Sequence, residues 1–294
     1  MIKTYGKCAP SAEKNYKQWK SCLSDNELQT VATLYNEQHP NNLIPQSVFQ
    51  DTNVLRKELD KRFKKQCGKN NDACWLEQDI VKGQDIYHEL NKNFRPKMKE
   101  SWEKNPRQWL DTYDILNVMK QYEQTCPTFN FLGVFPADVM SKDVCWANNM
   151  CNFDLKELLE KGKKEVGAVF NLDNHNQPGS HWVAVYGNFD TSSKKLGVYY
   201  YDSFGYPPPS KIKQFTLMLR NQAKAVFDAV VMKRFMGRFN VIQHQFKNSE
   251  CGMYSMIFII LCLQHTKADF YKIRNSITPK SDDIVNQLRQ HLFR

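Results

Sequence analysis

The sequence predicts an α+β protein in two parts: residues 1 to 100 helical, and residues 101 to 294 a β-sheet packed around one buried helix. Three observations carry this. Before residue 100, apolar residues recur at three- and four-residue spacing, as on one face of a helix. Between residues 165 and 204 lie short Val- and Tyr-rich runs of strand length, bounded by turn residues. The segment CGMYSMIFIILCLQ, from Cys251, is apolar nearly all round, the pattern of a helix covered on every side.

The elements follow in order. NELQTVATLYNEQ and VLRKELDKRFKKQ are the helical stretches of the first part, interrupted by the Asn- and Pro-rich loops HPNNLIPQ and GKNNDACW. No strand is expected there, and the part reads as a helical extension rather than catalytic machinery. The texture changes near Trp102, and WLDTYDILNVMKQYEQ predicts a helix with Ile115, Leu116 and Met119 facing inward. EVGAVFNL, HWVAVYGNF and KLGVYYYDSF are strands, the last two joined by the hairpin loop NFDTSSKK. Alternation places His181, Val183 and Val185 on one face. After Pro207, Pro208 and Pro209, Ser210 is expected to cap a helix through IKQFTLMLRNQAKAVFDAV, and FNVIQHQF to form a further strand. Ser281, Asp282 and Asp283 supply an N-cap and favourable charge for a last helix, IVNQLRQHLF.

Composition narrows the class. A chain of 294 residues with 41% apolar residues accommodates one large domain, or a catalytic domain with an extension. The longest apolar run, Met256 to Leu263, is far short of the roughly 20 residues that span a bilayer. The start lacks the apolar core of a secretory signal. Cytosol, nucleus or a particle assembled there is the expected location, with no membrane partner. Nine cysteines without a repeated close spacing indicate neither a disulfide framework nor a zinc site; buried thiols and no metal are expected. The net charge of +10 attracts polyanions, although basic clusters such as Lys61 to Lys65, Lys92 to Lys99 and Lys161 to Lys164 also serve as solvated faces.

A few residues could do chemistry. A cysteine that begins a buried helix points its sulfur at free backbone N–H groups and the positive end of the dipole, which favours the thiolate. Cys251 is such a residue, or else a small core residue at a helix start. Gly252 behind it allows close backbone approach by a substrate. His181, at a strand start after the turn residues Gln177 to Ser180, is either a base for the thiol or structural. Asp202 ends the next strand, where a carboxylate would accept from imidazole Nδ1 and leave Nε2 facing the sulfur, or would simply begin a turn. Gln245 offers a neutral N–H donor for an oxyanion beside the Cys251 amide. His244 is an alternative base, but neighbours along a strand face opposite ways.

Taken in order, HWVAVY, YYYDSFG and Gln245-x5-Cys251-Gly252 resemble the His-Trp, Asp-Ser and Gln-x5-Cys-Gly signatures of the clan that joins ubiquitin-like-protein (SUMO) proteases to adenovirus protease. The resemblance implies a central mixed sheet around the helix that carries the nucleophile. It implies Cys251, His181 and Asp202 as a triad, with Gln245 as oxyanion donor. RQWLDTYDILNVMKQYE stands where SUMO proteases begin this domain with a Trp-Leu-Asn-Asp helix; here Asp111 replaces the Asn and Tyr113 intrudes. Trp109 and Trp182 would then clamp a Gly-Gly segment of substrate, two indoles leaving no room for a β-carbon. ECGMYSMIFI and the ending SITPKSDDIVNQLRQHLFR are similar to the polyprotein proteases of large DNA viruses of the African swine fever virus type, where Asn stands at the position of Asp202.

The function so implied is a viral cysteine endopeptidase that cuts structural polyproteins after Gly-Gly during virion maturation, in host cytoplasm and virion. No cofactor is required, with DNA as an activator through the basic surface. Its rivals are an isopeptidase acting on ubiquitin-like conjugates, an acyltransferase, and a nucleic-acid-binding packaging protein.

Overall fold

In the computed structural model, which describes residues 7–277 and 282–294, the chain divides into two units, Lys3–Met98 with Gln290–Arg294 and Lys99–Arg289. Sequence texture leaves the last residues with the second part. In the structure they join the first, because the Arg294 guanidinium donates to Asn91 Oδ1 at 2.6 Å and its amide to Pro96 O at 2.9 Å.

The first unit is helical, with α1 at Asp25–Gln38 and α2 at Thr52–Cys67. Ser24 and Glu27 close a capping box on α1, and the Asp51 carboxylate accepts from the Asn53 and Val54 amides at the start of α2. Leu28, Val31, Leu55, Leu59 and Phe63 are buried, with Trp75 stacked on Phe63 at 5.7 Å. The expected helical stretches are both present, and among the described residues the unit has no strand, only a bridge between Cys8 and Phe94.

One expectation is overturned here. Cys8–Cys22 and Cys67–Cys74 are disulfides, as is Cys145–Cys151 in the second unit, leaving Cys126, Cys251 and Cys262 as free thiols. Each pair closes a short local loop with Cα atoms 5.1 to 5.5 Å apart, at separations of 14, 7 and 6 that share no repeated spacing.

After a single helical turn at Ser101–Lys104, the second unit has α3, Thr112–Thr125, whose cap is Asp111. Its inward residues are Ile115, Val118, Met119 and Tyr122, with Leu116 only half-buried. Five strands follow: β1 (Phe129–Phe135), β2 (Glu165–Asn171), β3 (Trp182–Asn188), β4 (Gly197–Tyr201) and β5 (Met236–Phe239). They lie in that order in one mixed sheet, β1 parallel to β2, β3 antiparallel to both β2 and β4, and β5 parallel to β4. The sequence reading missed β1, although Phe129, Phe131 and Phe135 alternate toward the core.

Both sheet faces are covered. Phe170, Val183, Val185 and Tyr200 share a core with Phe215 and Leu219 of α4, Ser210–Val226, where Phe170 meets Phe215 edge-on at 4.9 Å. A short α5, Ala229–Arg234, capped by Asp228, intervenes between α4 and β5. The expected helix through residue 230 therefore breaks at Phe227, and the residue at the N-cap of α4 is Pro209, with Ser210 already helical. On the other face of the sheet lies α6, Cys251–Gln264, with Phe258 stacked on Tyr201 at 4.7 Å; the buried central helix is as expected.

FNVIQHQF is not a strand. Only Phe239 belongs to β5; Asn240 then turns the chain, its side chain donating to Asp202 O and Ile242 O at 2.7 Å and accepting from the Ile242 amide. The last helix is two short ones, Asp282–Gln287 and Arg289–Leu292; the proposed cap Ser281 lies outside the described residues. Among the described residues, no helix is long and apolar enough to cross a membrane.

Candidate active site

Cys251 is the first residue of α6 and only 2% exposed. Its sulfur sits beside the free amides of a helix N-terminus, where negative charge is stabilised. Facing it is His181, one residue before β3. His181 precedes β3 and Asp202 follows β4, and these are adjacent antiparallel strands, so both residues lie at the same end of the sheet. The ring's Nε2 meets Asp202 Oδ1 at 2.8 Å. Nδ1 is the nitrogen that Asp202 leaves unbound, and Cys251 is the other group whose interaction raises the imidazole pKa. The ring therefore stands the opposite way round from the expected orientation, in which Nδ1 faced the carboxylate.

The carboxylate is itself held. Asp202 is buried, and its Oδ1 also accepts from the Phe204 amide at 2.8 Å, while the Phe204 ring stacks on His181 at 4.8 Å. The turn that permits this needs Gly205, whose φ is +82° and whose Cβ would lie 2.9 Å from the Ile242 carbonyl carbon. Burial alone would lower the His181 pKa. The hydrogen bonds to Asp202 and Cys251, and their negative charge, outweigh it and push the imidazole up to about 9.

Gln245 is fully buried and fixed at both ends: Oε1 accepts from Ser203 Oγ at 2.6 Å and Nε2 donates to Lys247 O at 2.7 Å. One further N–H of that amide is available by its chemistry. His244 turns elsewhere, its Nδ1 paired with Tyr201 OH at 2.8 Å, and burial pushes it down to about 4. It is neutral near pH 7.

Trp182 is 7% exposed and donates from Nε1 to Leu110 O at 2.9 Å. Trp109, the residue before Leu110, is 45% exposed. At Gly252 a Cβ would stand 3.2 Å from Leu110 Cδ1 and 3.3 Å from Trp182 Cδ1. The space expected to admit substrate beside Gly252 is filled by those two side chains, so this glycine lets Leu110 and Trp182 pack against the first turn of α6. Trp109 and Trp182 border a cavity of about 540 Å³ that continues past Asn171, Asp173 and His175, and among the described residues no Lys or Arg lines it. Leu110, Ser203 and Phe204 are the residues that sequence reasoning missed. Ser203 and Phe204 adjoin Asp202 in YYYDSFG, but only the folded turn gives them work. Among the described residues, no group of three or more His, Cys, Asp or Glu gathers as a metal site.

Comparison with known proteins points to proteases. Residues 223–293, which include Gln245 and Cys251, match the family described as vaccinia virus I7 processing peptidase. The chain is a cysteine protease, and its sequence is similar to thiol and cysteine proteases of large DNA viruses. A protein of Acanthamoeba polyphaga mimivirus that carries a thiol protease name is 29% identical over 303 residues, spanning 98% of this chain and 93% of that one. A cysteine protease of African swine fever virus is 24% identical over 254 residues, 82% of this chain and 89% of its own. The crystal structure of an African swine fever virus protease has a TM-score of 0.69 at 18% identity, covering 100% of this chain and 97% of that one, and shows the same fold.

Proposed function

We propose that the chain is a viral endopeptidase that cleaves structural polyprotein precursors after Gly-Gly during virion maturation, in host cytoplasm and virion. The observation that carries the reading is the His181 imidazole, bonded to Asp202 and interacting with Cys251, on the residue next to Trp182, which with Trp109 borders a cavity. Cys251 Sγ attacks the carbonyl carbon, and the charge that develops on oxygen is taken by the Cys251 amide and Gln245 Nε2, each donor worth about 2.7 to 4 kcal/mol in such sites. The imidazolium gives its Nδ1 proton to the departing amine as the C–N bond breaks, leaving a thioester on Cys251. His181 then takes a proton from water, the hydroxide attacks the thioester, and the thiolate leaves. Asp202 holds the ring and stabilises its charge throughout.

A second reading is removal of a ubiquitin-like modifier by the same residues; some African swine fever virus relatives carry the name SUMO-1 cysteine protease. Hydrolysis of a Gly-Gly-Xaa peptide library by the wild type and by Cys251→Ser, with and without duplex DNA, tests both. Peptide cleavage by the wild type alone supports the endopeptidase, and acceleration by DNA supports DNA as activator. Silence on peptides with processing of a modifier conjugate gives the second reading, and silence on both refutes the two.

A further inference from the structure

We infer that Arg107 is a positioning residue of this protease: its guanidinium neutralises a carboxylate buried one residue ahead of the nucleophile and fixes the segment that carries Trp109 against the opening turn of α6. The inference rests on Cys251 being the nucleophile, as proposed above.

Glu250 occupies the N-cap of α6 and is completely buried. It makes no side-chain cap bond to the helix amides. Instead Oε1 accepts from Arg107 Nη1 at 2.6 Å and from Ser249 Oγ at 2.7 Å, and Oε2 from the Ser249 amide at 3.3 Å. An uncompensated negative charge there would oppose formation of the Cys251 thiolate, and low dielectric would strengthen the opposition. The Arg107 cation, bonded to it, offsets it, with the Arg289 guanidinium as a second, unbonded cation that also interacts electrostatically with Glu250 and Cys251.

The surroundings identify Arg107 as the directly bonded cation. From the C-terminal side, Arg289 donates to Gln108 O and lies over the Trp102 ring at 4.9 Å. Asp283, which also accepts from Arg107, is half-exposed and shared with Lys247 at 3.0 Å. The Asp282 carboxylate is taken by the Phe246 and Lys247 amides and Tyr254 OH. Asp114 pairs with Lys99, and Asp202 with His181. The same arginine places the clamp: Arg107 to Glu250, Gln108 O to Arg289, and Leu110 O to Trp182 tie down the residues on both sides of Trp109.

The test compares Arg107→Met, Arg107→Lys, Glu250→Gln and the double variant Arg107→Met/Glu250→Gln in the full chain. The readouts are the pH profile of Cys251 alkylation by iodoacetamide, corrected with Cys251→Ser, and KM and kcat on a cleaved peptide. Arg107→Met should alkylate at least about tenfold more slowly at pH 7, with its profile moved to higher pH. The double variant should recover to within about threefold of wild type, because both charges are gone. Arg107→Lys should recover the alkylation rate while KM stays raised, since an ammonium does not reproduce the guanidinium fork. An unmoved profile in Arg107→Met, or a double variant as slow as the single, overturns the inference. If Arg107→Met does not fold, Glu250→Gln decides: alkylation no slower than wild type supports it, and slower alkylation overturns it. Alkylation needs no substrate, so a chain that alkylates as expected but cleaves no peptide refutes the proposed function and not this role.

Discussion

His181 is the residue whose charge state reports on the whole site. Histidine titrates near 6.5 in an unfolded chain, and the fold pushes His181 up to about 9. The folded state therefore binds the proton more tightly. The stability this contributes is fully present below about pH 6.5 and is lost as pH rises through about 9. Thermal melts of the wild type should fall across that window relative to Asp202→Asn, in which the carboxylate that holds the proton is gone. Activity should follow the same group: kcat/KM falls as pH rises through about 9, because the leaving amine needs the imidazolium. In Asp202→Asn that alkaline limb should move down by about one unit or more. Cys251→Ser should lower kcat by about a thousandfold or more, read with the same peptide. At Gly252 an added methyl meets Leu110 and Trp182 at 3.2 to 3.3 Å, so Gly252→Ala should displace Trp182 and raise KM, seen also as a change in tryptophan fluorescence.

At the scale of elements, α3 and α6 differ in what holds them. The helix α6 is buried along nearly its whole length, and packing stabilises it whatever its local propensity. One side of α3 faces solvent and its first turn depends on the Asp111–Asp114 capping box, with Lys99 bridging both carboxylates at 2.6 and 2.7 Å. Asp111→Ala should cost about 0.5 to 2 kcal/mol in denaturant unfolding. Because Trp109 and Leu110 lead into this cap, KM should rise as well. The strands behave differently. All of β3 is buried, since helices cover both faces, while β5 is a short edge that stops where Asn240 bends the chain. A run such as FNVIQHQF has strand composition, yet Asn240, Ser203 and Gln245 make loop hydrogen bonds that a ladder would forbid.

For the molecule as a whole, two features await measurement. The Cys8–Cys22 bridge closes a loop with a sequence separation of 14, which in the chain-entropy picture stabilises by about 3 kcal/mol. Replacing both cysteines by alanine should lower the melting temperature of the first unit, while Cys251, a free thiol in the other unit, should still alkylate. The net charge of +10 should give DNA binding that weakens steeply between about 50 and 200 mM salt. A binding curve flat in salt would remove DNA from the account.

The sequence by itself determined the class. His181, Asp202, Gln245 and Cys251 each sit next to a local signal, a strand end, a turn or a helix start, and such signals are written in neighbouring residues. The covered helix α6 is legible for the same reason, because a segment apolar all round has no stable place but an interior. The tertiary structure decided what depends on residues far apart in the chain. Which imidazole nitrogen meets Asp202 is set by the fold that brings the ends of β3 and β4 together, and the use of Gly252 by Leu110, brought beside it by folding. The ion pair of Arg107 with Glu250 joins positions 143 residues apart. Neither charge announces its partner in the sequence, because what makes them matter is burial, and burial is a property of the assembled fold.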